Sequence, residues 1–448
     1  MTKDSKLAQT DKASQEAIKL HSYYRGKIQT VPRCAVRSID DFAIWYTPGV
    51  AVPCRAIEKN KDLAYDYTLK GNTIAVVSDG TRVLGLGNIG PEAGLPVMEG
   101  KALLFKYLGG VDCVPICLDT TDPDEFIKAV KYLQPSFGGI NLEDIEQPKC
   151  FYILERLRQE MSIPVWHDDQ QGTAAVTVAG MINAAKVVGK EFSGLKIVLI
   201  GAGAANTCVA QMLIKAGAKP GNLIMVDSKG TLHKDRTDIE AKKEEFKQKW
   251  EICLTTNARQ VTGGAAEALQ GADAVVALSK PGPGTVSPDW IKNMAPDAIV
   301  FACANPTPEI WPWEAKQAGA RIVATGRSDF PNQVNNSLIF PGLFRGVLDV
   351  RAQTITDEMC IAAARALAGY EEAKGTLSED NILPSMDELE VFAAVAAAVG
   401  TKAMEQGVAR INRTHDEIFA HAKTLIEEVR TLTDLMMKQR LIPPALME

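Results

Sequence analysis

Two acidic pairs, Glu143-Asp144 and Asp168-Asp169, each stand where a short apolar stretch ends. Carboxylates so placed project from the carboxyl edge of a parallel sheet, which is where open α/β folds hold ligands. Three or four such oxygens gathered in one cleft suit a hard divalent cation, Mg2+ or Mn2+. The nine cysteines form no CxxC pair and no Cys-His spacing, so a zinc site is not indicated. His167 precedes the second pair on a strand that alternates with it, so its ring should face away from Asp168 and serve packing.

Two glycine loops compete for a dinucleotide. Gly85, Gly87 and Gly90 match GxGxxG letter for letter. The fingerprint needs a strand immediately before it and a helix immediately after, however, and Gly90 runs into Pro91, Gly94 and Pro96, which read as further turns. Gly201-Ala202-Gly203-Ala204-Ala205-Asn206 lacks the third glycine but follows the strand LKIVLIG and opens the helix AANTCVAQMLIKAG. There the first glycine permits a tight turn, the second lets backbone approach a pyrophosphate, and the helix N-terminus favours its charge. Asp227 ends the next strand, about 24 residues past Gly203, where a carboxylate accepts hydrogen bonds from an adenosine ribose. Ser228 and Lys229 follow it, and a hydroxyl beside a cation could hold a 2′-phosphate, which tilts the choice between NADP and NAD towards NADP.

The elements that position these groups alternate strand and helix. TIAVV at 73–77 reads as a buried strand, and the helix PDEFIKAVKYLQ from Pro123 has Asp122 as its N-cap. SFGGINLED is strand-like, a helix runs from Pro148, and IPVWHDD is a short strand, an order that implies a mostly parallel sheet. After a complete βαβ unit at 195–228 come the strands DAVVAL, DAIVFACAN and RIVATG, and beyond Phe340 the chain reads as helical, with a charged tail from His415 to Gln439. The expected fold class is therefore α/β, a Rossmann-type doubly wound parallel sheet beside a second α/β unit.

The 448 residues are enough for two large domains or three smaller ones. Lys and Arg number 49 against 55 Asp and Glu, a net charge of -6, which argues against a general nucleic-acid binder. The charged N-terminus lacks the apolar core of a secretory signal, and the uncharged run from Ile197 to Ile214 contains Gly201, Gly203, Asn206 and Gln211, so it reads as strand and helix, not as a membrane span. An odd number of scattered cysteines fits reduced thiols, and a cytoplasmic location is the expectation.

YTPGVAVPCRAI, SDGTRVLGLGNIGPEAGLPVMEGKALLFK, GGINLEDI, HDDQQGTA, GAGAAN, ANPTPE and FPNQVNNSLIFPG together resemble the malic enzymes of the shorter, bacterial type, over about Tyr23 to Asp349. The resemblance implies oxidative decarboxylation of L-malate to pyruvate and CO2 with NADP or NAD and Mg2+ or Mn2+. It implies Tyr46 as acid and Lys101 as base, with Asp168 beside the lysine, and Glu143, Asp144 and Asp169 as metal ligands. Arg82, Asn305, Asn335 and Asn336 would hold the substrate, with Asn305 also near the coenzyme. It further implies a homodimer, a malate-binding domain over 1–162, a nucleotide domain over 163–334 and a C-terminal part, 335–448, that returns to the first. A base must be neutral to accept the malate hydroxyl proton, so a lowered lysine pKa is expected at Lys101. The alternative on the same fold is a malolactic or oxaloacetate-decarboxylating enzyme, and further off is a nucleotide sensor without turnover.

Overall fold

A computed structural model describes residues 15–445. Its strands are β1 (Thr73–Ser78), β2 (Asp112–Cys117), β3 (Gly139–Leu142), β4 (Val165–His167), β5 (Ile197–Ile200), β6 (Leu223–Asp227), β7 (Gly230–Thr231), β8 (Ala274–Ala277), β9 (Ala298–Ala302) and β10 (Ala320–Thr325). They form two sheets, of order β2-β1-β3-β4 and β10-β9-β8-β5-β6-β7. All pairs are parallel except β6 with β7. Every residue of β1, β3, β5, β8 and β9 is buried, as expected of strands covered by helices on both faces.

The helix Thr173–Val187 ties the two sheets together. Its sequence is apolar all round, nearly all of it is buried, and it packs against the helices Ala204–Ala216 and Asp357–Ala373. The C-terminal part does return to the first sheet. Helix Phe340–Asp349 packs on helices Pro91–Gly109 and Glu390–Glu405, and helix His415–Lys438 lies against the same two. Gly342 and Gly346 allow the close approach, since a Cβ at either would fall 2.6 or 2.3 Å from a carbonyl oxygen of the Glu390–Glu405 helix.

One reading of the sequence needs correction here. The stretch after Gly90 is no series of turns but the 19-residue helix Pro91–Gly109, with Pro91 in its first turn and Pro96 accommodated further in. Proline at the start of a helix costs nothing, because that N–H has no intrahelical partner anyway. The first sheet ends with β4, which pairs with β3. Cys113 and Cys117 both lie in the edge strand β2. All nine cysteines are free thiols. Among the described residues, no helix is long and apolar enough to cross a membrane.

Candidate active site

Glu143 and Asp144 follow β3, and Asp168 and Asp169 follow β4, so parallel pairing of these neighbours brings the two acidic pairs to one edge. Beyond β4 the chain winds into a π-helical turn, Asp168–Gly172, rare geometry that recurs at functional sites. Gly172 is required there, because a Cβ would sit 2.1 Å from Asp168 Oδ1 and 3.1 Å from Asn336 Cβ. That contact also brings Asn336 beside the acids.

Glu143, Asp144 and Asp169 each offer an oxygen within 4.8 Å of the others. The Asp144 backbone N–H donates to Asp169 Oδ2 at 2.9 Å, and Asn141 Nδ2 donates to Glu143 Oε2 at 2.8 Å. Asp144 Oδ2 is buried with no hydrogen-bond partner. Burial, and then the charge of Asp169, push the Asp144 carboxyl up to about 8; burial pushes Glu143 well above the carboxylate range. A trio of desolvated carboxylates with an orphaned oxygen is the donor set a hard divalent cation needs.

Lys101 comes from the Pro91–Gly109 helix and is buried. Its Nζ lies 2.6 Å from Asp168 Oδ2 and 3.0 Å from Glu143 Oε1, over the Phe340 ring at 4.5 Å. Trp166 Nε1 donates to the other oxygen of Asp168 at 3.1 Å. Burial alone would lower the lysine, but Asp168 and Glu143 outweigh it and hold the ammonium well above its ordinary range. This is opposite in direction to the lowering that a base requires. The sequence showed a lysine on a helix, whereas only the fold shows two carboxylates on it.

The other site residues fall around this centre in varying degree. Arg82 donates its backbone N–H to the Asp144 carbonyl at 2.9 Å, while its exposed guanidinium bonds Leu84 O at 2.6 Å. Asn335 caps the turn at Asn336–Leu338 by accepting from Ser337 N. Asn305 is exposed after β9, and its carbonyl oxygen would be 3.2 Å from a Cβ on Gly85. The GxGxxG loop thus lies against the loop that follows β9 of the second sheet. Tyr46 is 72% exposed on a short helical segment and, among the described residues, no contact joins it to Lys101 or the acids. His167 is wholly buried with Nδ1 3.8 Å from Asp169 Oδ2 and no hydrogen bond on either ring nitrogen.

At the second sheet, Gly201 has φ +102 and a Cβ there would meet Leu278 O at 2.5 Å, while Gly203, with open space around it, is the N-cap of the Ala204–Ala216 helix. Asn206 points inward, donating to Ile200 O and Gly201 O, so it locks the loop. Residues 25–158 match the family described as malic enzyme, N-terminal domain, and residues 170–404 match malic enzyme, NAD binding domain. The chain belongs to the malic enzyme family. It is 48% identical over 415 residues to the bifunctional malic/malolactic enzyme of Bacillus subtilis, covering 92% of this chain and 98% of that one. To the NAD-dependent malic enzyme of Geobacillus stearothermophilus it is 49% identical over 385 residues, covering 86% and 78%. The crystal structure of Entamoeba histolytica malic enzyme superposes with a TM-score of 0.95 at 49% identity, covering 99% of this chain and 92% of that one.

In this malic enzyme family member, the acid at the end of β6 is not free. Asp227 Oδ1 accepts from Arg236 Nη1 at 3.1 Å and Lys229 N at 2.9 Å, and Oδ2 accepts from Arg236 Nη2 at 3.0 Å and Lys249 Nζ at 2.6 Å. Its four acceptor positions are occupied. Sequence reasoning missed Arg236 and Lys249, whose only signal was positive charge in the polar stretch after Asp227. The cavity there, about 450 Å3, is lined by Asp227, Ser228, Lys229, His233 and Arg236 among others.

Proposed function

We propose that this protein carries out NAD(P)-dependent oxidative decarboxylation of L-malate to pyruvate and CO2, with Lys101 taking the C2 hydroxyl proton and Tyr46 protonating C3. The observation that carries the reading is the contact of Lys101 with Asp168 and Glu143 beside a carboxylate trio. Glu143, Asp144 and Asp169 would hold Mg2+ or Mn2+, which as a Lewis acid stabilises charge developing on the substrate C2 oxygen. Asp168 positions the lysine, and Phe340 with the buried walls keeps water from it. Arg82, Asn336 and Asn305 are suited by charge and amide donors to bind the malate carboxylates, and Asn335 holds the Asn336 turn in place. The backbone of Gly201 to Ala205 would hold the coenzyme pyrophosphate at the helix N-terminus. Purified protein assayed on L-malate with each coenzyme, with and without Mn2+, should form pyruvate in step with reduced nicotinamide. Lactate without net reduction would instead support the malolactic reading, which the printed name of the Bacillus subtilis relative favours as a second activity.

For the coenzyme, NADP is the better fit. With the Asp227 oxygens occupied, a ribose 2′-hydroxyl gains little there, whereas Lys229, its side chain 68% exposed and paired with Asp238 at 3.2 Å, can turn to a 2′-phosphate. Lys229→Ala is expected to raise KM for NADP several-fold and to spare NAD, by loss of one charge-assisted contact. Arg236→Gln, which frees Asp227, should lower the NADP/NAD ratio of kcat/KM further; equal effects on both coenzymes would remove the preference for NADP.

A homodimer accounts for the exposure of Tyr46. Ile39, Ile44, Trp45 and Val52 are exposed around it, as are Leu84 and Leu86 on the loop after Arg82. A second copy that covers this surface would bring Tyr46 to the partner's Lys101. Mixing separately inactive Tyr46→Phe and Lys101→Ala dimers should then restore up to about a quarter of wild-type activity after subunit exchange, because each heterodimer has one intact site. No recovery despite exchange would place both residues in one subunit.

A further inference from the structure

A cavity of about 610 Å3 takes no part in the proposed reaction. Gly71 and Asn72 line it just before β1 begins, so it opens at the amino edge of the first sheet, while the acids stand at the carboxyl edge. The six residues of β1 separate the two, roughly 20 Å at strand rise.

Its walls are cationic in a chain of net charge -6. Arg33, Arg345, Arg351 and Arg413 line it against Asp66 and Asp349. Arg345 is buried and bound to Asp349 at 2.8 Å and to Asn72, and Arg351 pairs with Asp66. Asp66 is therefore engaged, and Asp349 Oδ1 also meets His421 Nδ1 at 2.9 Å, while Asp349 Oδ2 is buried without a hydrogen-bond partner. The side chains of Arg33 and Arg413 have no hydrogen bond or ion pair among the described residues. Behind the wall, burial and, after it, the charge of Arg410 pull Lys70 down to about 8, and its Nζ donates to the Gln134 and Phe137 carbonyls. Arg345 and Asp349 also form the far end of the helix whose first residue, Phe340, packs on Lys101, so the cavity and the active site share one rigid element.

We propose that this arginine-lined cavity binds a small multivalent anion bearing carboxylate or phosphate groups, at a site separate from that of malate and coenzyme. Two guanidinium forks without partners are built for bidentate oxyanion contacts. Rigid guanidinium groups held in place by Asn72, Asp349 and Asp66 would lose little entropy on binding.

Citrate and inorganic pyrophosphate are the probes, titrated calorimetrically into the full chain saturated with L-malate, with sodium chloride at equal ionic strength as control. Saturable binding of at least one probe is expected, weakened at least tenfold by the Arg33→Gln/Arg413→Gln double substitution. Neither side chain supports the fold, so the variant should keep its Tm and its KM for malate. Citrate alone, or pyrophosphate alone, would identify the group recognised. Equal affinity in wild type and variant, or heats no larger than those of sodium chloride, would overturn the proposal. So would a variant that sediments as a monomer where the wild type is a dimer, since these arginines would then face a second copy. Because the readout is binding, its failure is distinct from failure to oxidise malate.

Discussion

Lys101→Ala is expected to lower kcat for malate oxidation roughly 10²- to 10⁴-fold, the contribution of one general acid–base group. The lysine is buried, held between Asp168 and Glu143 and backed by the Phe340 ring, so alanine leaves a cavity with two carboxylates unpaired. Ammonium ion fits such a space, and added ammonium should restore part of the rate, whereas Lys101→Arg should not, because a guanidinium does not give up its proton near neutral pH. The Asp168 and Glu143 carboxylates hold the lysine as an ammonium in the metal-free protein. Any cation that draws Glu143 away relieves part of that hold. Retention of near wild-type kcat by Lys101→Ala would sink the assignment of the base.

The second large effect is expected at Asp169. Asp169→Asn should abolish the response to Mn2+ in the micromolar range, yet the metal-free variant should melt no lower than wild type, and at pH 8 higher. The sign follows from Asp144. Its carboxyl is ordinary in the unfolded chain, near 4, and is pushed up to about 8 in the fold by burial and then by Asp169. Between those values the folded state binds a proton that the unfolded state has lost, so metal-free stability falls as pH rises through this window and levels off above about 8. Removing the Asp169 charge shortens the window. A divalent cation needs the carboxylates ionised, so the Mn2+-induced rise in wild-type Tm should grow with pH up to about 8. A variant in which Mn2+ still raises Tm as in wild type would show that the cation binds elsewhere.

Legibility in the sequence tracked the range of the interactions involved. The short apolar runs, the Asp122 cap and the glycine turn after β5 depend on neighbours a few residues away, and each lies where the pattern predicts. Asp122 accepts from the N–H groups of Asp124 and Glu125, both at 2.9 Å, as an N-cap acid should. Pro91 misled because proline in the first turn of a helix is tolerated, while the same letter describes a turn equally well, and Pro96 misled because it stands inside the helix, where it forgoes an intrahelical hydrogen bond. Strand β2 is only partly legible in the sequence because it is an edge strand with Pro115 inside it, a position where the missing N–H need not cost a ladder bond.

The residue types of the site, the order of strand and helix, and the strand-turn-helix setting of the 201–206 loop were determined by the sequence alone. Each follows from local geometry that backbone chemistry imposes. Tertiary structure decided the charges. Parallel pairing of β3 with β4 put Asp168 and Glu143 on Lys101 and so set its ionisation against the direction a base needs. Folding of the 229–249 region over β6 spent the Asp227 oxygens on Arg236 and Lys249. Electrostatic interactions depend on distance and burial, and residues 67 positions apart in the chain, such as Lys101 and Asp168, have neither until the sheet brings them together.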